Sequence, residues 1–124
     1  MLPIRIICLV FVLFTGIGCS HRTFHEKDYQ QWWCQHHNGI TEYRLDDRTR
    51  VDCLTSDYAV EVEFAHKWAE SVGQALYYAQ KTGKNPGIVL IIRTTHDEAF
   101  AKRLRSVARQ QGIKVWTIRP QDLD

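Results

Sequence analysis

The sequence contains no internal repeat, no low-complexity segment and no apolar run long enough to cross a bilayer. Without a repeat, a solenoid or propeller is excluded. Without a low-complexity stretch, nothing divides the chain into separate folding units. The longest apolar run, Ile6 to Phe14, falls short of the ~20 residues that a stable membrane-spanning helix needs. An excess of one charge is missing too. The 16 basic and 14 acidic residues leave a formal net charge of +2, so overall charge does not point to a polyanion.

What is present begins with an address. Met1 to Arg5 carries one positive charge, the apolar run follows, and Thr15-Gly16-Ile17-Gly18-Cys19 ends in small residues. That pattern predicts a signal peptide over residues 1–18 and export from the cytoplasm, with a membrane anchor or a buried N-terminal helix as the alternative. Gly18-Cys19 resembles the lipobox of bacterial lipoproteins, although Gly16 stands where that family prefers Leu. The resemblance implies lipidation of Cys19 and attachment to the membrane through an N-terminal lipid, each buried methylene contributing about 0.8 kcal/mol. Plain secretion into the periplasm is the alternative.

With Cys8 lost in the signal and Cys19 lipidated, Cys34 and Cys53 remain as an even pair. An oxidising compartment permits a disulfide between them; two buried free thiols are the alternative. Residues 19–28 read as a polar tether, and residues 29–120 as one α/β domain with a modest core. Charge is unevenly spread within the domain. Residues 20–80 hold six basic and ten acidic residues, a balance of −4, whereas residues 81–119 hold nine basic and two acidic, a balance of +7.

Periodicity gives the element order α-β-β-β-α-β-α-β. Tyr29 to His37 has helical spacing and stops at Asn38-Gly39. Thr41 to Leu45, Arg50 to Leu54 and Tyr58 to Phe64 read as strands. Ala65 to Thr82 is an amphipathic helix with Trp68, Val72, Ala75 and Leu76 on its core stripe. Lys84-Asn85-Pro86 reads as a turn, and Gly87 to Arg93 as a strand buried on both faces. Asp97 to Gln111 is a basic helix, and Ile113 to Ile118 a final strand. A hairpin-rich half followed by β-α-β-α-β favours a mixed sheet flanked by helices.

Chemistry concentrates in the first half. Asp52 lies on the second strand. Glu61 and Glu63 share one face of the third, in a strand otherwise apolar, and like charges so placed need water, a lysine or a divalent cation between them. Carboxylate oxygens suit Mg²⁺ or Mn²⁺. On the following helix, Lys67, Glu70, Gln74 and Tyr78 recur at spacings of three, four and four and form one polar stripe. Cys34 with His36 and His37 does not have zinc-ligand spacing.

The element order, Asp52, Glu61 and Gln74-x-x-x-Tyr78 together resemble the PD-(D/E)xK nuclease superfamily, which has the restriction-endonuclease-like fold, and within it the RecB-like branch that carries a QxxxY helix motif. The resemblance spans about residues 29–118. It implies that Asp52 and Glu61 hold Mg²⁺ or Mn²⁺, with Glu42 as a further ligand or outer partner, and that Gln74 and Tyr78 orient the ligands or touch the DNA backbone. Arg93, Lys102, Arg103, Arg105 and Arg109 would contact DNA phosphates. The family's Lys position is Glu63 here. Lys67, one helical turn on, is one replacement; Glu63 acting directly, as in restriction enzymes with E-x-E, is another. The implied function is hydrolysis of DNA phosphodiester bonds in the cell envelope. The alternatives are a catalytically silent domain binding a polyanion or a protein partner, and a structural lipoprotein.

Overall fold

Val89 and Ile91 face one side of a sheet and Ile88, Leu90 and Ile92 the other, and all five are buried. An apolar run without alternation needs cover on both sides. The computed structural model, which describes residues 22–124, supplies that cover with helices. The expected signal peptide and Cys19 lie outside the described residues. Among the described residues, no helix is long and apolar enough to cross a membrane.

The elements are α1 (Glu26–His36), β1 (Ile40–Arg44), β2 (Arg50–Leu54), β3 (Tyr58–Phe64), α2 (Trp68–Thr82), β4 (Asn85–Ile91), α3 (Asp97–Gln111) and β5 (Lys114–Ile118). Short 3-10 turns at Ala65–Lys67 and Pro120–Asp122 follow β3 and β5. The five strands form one sheet in sequence order. β1, β2 and β3 pair antiparallel, and β3, β4 and β5 pair parallel. The chain is thus an α/β protein whose mixed sheet is flanked by three α-helices. α2 and α3 cover the Ile88, Leu90 and Ile92 side, where Ala75, Ala101, Leu104 and Ala108 pack. α1 covers the other side with Tyr29 and Trp33, against Val60, Val62, Val89 and Ile91. Each fully buried Leu, Ile or Val contributes about 1.5–3 kcal/mol.

Most shifts from the sequence-based bounds are of one to three residues, as where α2 begins at Trp68 and not Ala65, and three bear on the packing. α1 begins at Glu26, inside the segment expected as a tether, and Phe24 already packs edge-on against Tyr29. Leu123, beyond the expected end of the domain at residue 120, packs on the same core. β4 starts at Asn85, not Gly87, because Asn85 and Pro86 continue the parallel ladder opposite Tyr58 and Ala59. Pro86 is tolerated there because β5 begins one residue further on, at Gly87↔Lys114, so Pro86 has no strand on that side.

Cys34 and Cys53 form a disulfide that ties α1 to β2, and both are fully buried. The chain after α1 is shaped around it. Asn38 takes a left-handed conformation (φ 52°), and the Gly39 N–H bonds to the Cys34 carbonyl at 3.0 Å. A Cβ at Gly39 would stand 2.3 Å from the Cys53 sulfur and 2.7 Å from that of Cys34, so only glycine fits against the bridge.

Candidate functional site

The registered β2–β3 pairs are Cys53↔Val60 and Leu54↔Ala59. Beyond them Asp52 replaces the ladder with its side chain, whose Oδ2 accepts the Val62 N–H at 2.8 Å. On its other side Asp52 faces a break in β1, where pairing skips from Thr41↔Cys53 to Tyr43↔Val51. The skipped residue, Glu42, has φ 54°, a conformation costly for a side chain of its size. Gln30 fills the gap from α1. It is buried, and its Nε2 donates to the Asp52 carbonyl at 2.9 Å and to Glu42 Oε1 at 3.1 Å.

Into this opening project the acids of β3. Glu61 and Glu63 are each only 5% exposed, which is unusual for residues that almost never go inside unpaired. Glu61 lies against Asp52, and no donor reaches its buried Oε2. Glu63 Oε1 accepts the Phe64 N–H at 2.9 Å and stands 3.9 Å from Lys67 Nζ. Its carboxyl also meets that of Glu26, from the first turn of α1. Burial, followed by the charges of Asp52 and Glu63, pushes the Glu61 carboxyl up to about 10. Burial raises Asp52 to about 6, against the opposing hydrogen bond from Val62. Burial, with the contact to Glu63, raises Glu26 to about 7. Acids drawn together out of water hold their protons, because ionising them all would place like charges side by side where solvent cannot screen them.

α2 closes the back. The Gln74 side chain reaches the Tyr78 hydroxyl, while its own Oε1 is buried without a donor. Burial raises the Tyr78 hydroxyl above its ordinary value, and the charges of Glu61 and Asp52 add to this. Tyr78 packs against Val51 and Ala59. It is only 7% exposed. Glu42 is held at the periphery: Gln30 occupies Oε1 and Arg50 stands 3.7 Å from Oε2.

Asp52, Glu61, Glu63, Lys67, Gln74 and Tyr78, drawn from four separate stretches of chain, thus meet in one place. The basic residues do not join them. Lys102, Arg103, Arg105 and Arg109 are exposed on α3 and make no hydrogen bond or ion pair with the carboxylates. Arg93 lies over the Phe64 ring, its Cζ 4.3 Å from the centroid. His36 and His37 stack on Trp32 and Trp33, and Cys34 is in the bridge. Among the described residues, no three His, Cys, Asp or Glu side chains form a ready-made metal cage.

Glu26 and Gln30 were not found by the sequence. Glu26 sits in a polar stretch that looks like tether, and a glutamine one turn from a tryptophan pair looks like surface. The available signal is the spacing Glu26, Gln30, Cys34, one residue per turn on one face of α1. That stripe touches Glu63, Asp52 and Cys53 in order. Comparison with family models, with curated proteins and with solved structures returns no match.

Proposed function

We propose that the carboxylate cluster is a divalent-cation site and that the protein hydrolyses nucleic-acid phosphodiester bonds in the cell envelope. The observation that carries this is Glu61 Oε2, a carboxylate oxygen buried against Asp52 with no donor. A merely structural acid in that place would cost stability with no return, since an unsatisfied buried polar group costs about 1–3 kcal/mol. The donor set suits Mg²⁺ or Mn²⁺: it is all carboxyl oxygen, without sulfur or imidazole, and a cation would displace the protons the acids hold. Asp52 and Glu61 would hold the cation.

Such an ion lowers the pKa of bound water and stabilises charge building on a phosphate. The chain's own residues do the rest. The Val62 N–H fixes the Asp52 carboxylate, and Gln30 fixes its backbone. Gln74 and Tyr78 close the rear of the site against solvent. Lys67, with its side chain 48% exposed and tethered to Glu63, supplies the ammonium that a developing oxyanion needs, from the helix and not from the strand. The α-β-β-β-α-β order with an antiparallel meander leading into a parallel pair supports assignment to the restriction-endonuclease-like fold. Export and a lipid at Cys19 belong to the same proposal.

The test is cleavage of labelled single- and double-stranded DNA by purified protein with Mn²⁺, Mg²⁺ or chelator. Cleavage should require the cation and should fall about a thousandfold in Asp52→Asn, a loss of about 4 kcal/mol of transition-state stabilisation. Equal cleavage by the variant would remove Asp52 from the chemistry.

A further inference from the structure

Where β3 ends beside the acids, the chain exposes three planar groups. Phe64 is half-buried, with Tyr29 meeting it edge-on at 6.4 Å and 79°. The Arg93 guanidinium lies over the Phe64 ring at 4.3 Å. The His66 ring lies 6.1 Å away and within 19° of parallel to it, so the two rings form a shallow step. His66 and Arg93 are exposed, and Arg93 makes no ion pair among the described residues. Its position is nevertheless set by the backbone: Asp97 Oδ2 accepts the N–H of Arg93 at 2.8 Å and of Thr94 at 3.1 Å. Tyr29, which meets the Phe64 ring, lies one turn of α1 after Glu26, whose carboxyl meets that of Glu63, so the step lies about one helical turn from the carboxylates.

A cation meant only for phosphate stands free to fork two N–H groups toward an oxygen pair. A guanidinium seated on a ring beside an imidazole instead presents a flat, positively charged shelf, a surface that suits the face of a nucleobase with its phosphate alongside. In a duplex that face is already stacked and out of reach. We propose that Phe64, His66 and Arg93 form a stacking platform for an unpaired base, so that nucleic acid is single-stranded where it passes the carboxylates. This rests on the proposed function and specifies its substrate.

The test is fluorescence anisotropy with labelled oligothymidylate of about fifteen nucleotides and a duplex of equal length, in chelator. The single strand should bind at least ~10-fold more tightly than the duplex. Arg93→Lys, which keeps the charge and removes the plane, and His66→Ala should each weaken single-strand binding by roughly tenfold, within the range of one base-stacking contact. Both sites are exposed, and unchanged melting temperatures would show that the variants fold. Equal affinity for duplex, no binding of either probe, or an Arg93→Lys protein that binds like the parent would each overturn the platform. Cleavage with Mn²⁺ separates the two proposals. Cutting without preference for single strands would leave hydrolysis standing and remove the platform. The predicted binding pattern without cutting would support the platform and remove hydrolysis.

Discussion

Glu61→Gln should make the protein more stable and less active at once. The amide keeps the shape of the side chain and removes a carboxyl that burial holds protonated up to about pH 10. The sign follows from linkage. Glu61, Asp52 and Glu26 all have folded-state pKa values raised above their ordinary ones. The native state therefore keeps protons that the unfolded chain releases, and stability falls as pH rises. For Asp52 the decline runs from about 4 to about 6, for Glu26 from about 4.5 to about 7, and for Glu61 from about 4.5 to about 10. In chelator at pH 8, Glu61→Gln should be stabilised by a few kcal/mol, because only the parent must keep in its folded state a proton that its unfolded chain releases. At pH 4 the gap should close, because both side chains are then neutral. Denaturant titrations at the two pH values measure this. Cation-dependent cleavage should meanwhile be lost. A variant equally stable at both pH values, or one that still cuts, would show that Glu61 is not a strained functional acid.

Removing the Cys34–Cys53 bridge should have the larger effect on the fold. The two cysteines are 19 positions apart, and closing a loop of that size restricts the unfolded chain by about 3 kcal/mol. At about 4–8 °C per kcal/mol for a domain of this size, the double variant Cys34→Ala, Cys53→Ala should melt on the order of 15 °C lower. Loss of the bridge frees the end of α1, and with it the stripe on which Gln30 and Glu26 reach the acids. The site should thus weaken along with the fold. Because both sulfurs are buried, reductant should act on the native protein only slowly and much faster once denaturant opens it. A double variant melting within two or three degrees of the parent would mean that packing around Gly39 holds α1 without the bridge.

Much of the architecture was legible because it is local. β2, β3 and α3 have the bounds that their alternation and periodicity indicate. The Glu61-Val62-Glu63 pattern and the helix stripe through Gln74 and Tyr78 indicated by side-chain direction that these residues come near one another. What was missed depends on contacts across the fold. No local rule places Glu42 in a left-handed conformation; that follows from Gln30 and Asp52 meeting between two strands. Val51 and Cys53 should share one face by alternation, yet Val51 packs with Tyr78 and Cys53 with α1, on either side of the gap in pairing at Asp52. Tyr77, beside the buried Tyr78, is exposed and bonds to Asp47 in the β1–β2 turn, a contact that no local spacing indicates. The uneven charge along the chain does not show that the basic residues of α3 stand apart from the acids, because charge balance does not specify distance.

The central claim is that buried acids on β2 and β3 exist to hold a divalent cation. Calorimetric titration of Mn²⁺ into the purified protein at pH 8, alongside Glu61→Gln, tests it most directly. Saturable binding by the parent with protons released on binding, and at least ~10-fold weaker binding by the variant, is the expected result. No saturable binding, or equal binding by both proteins, would contradict it.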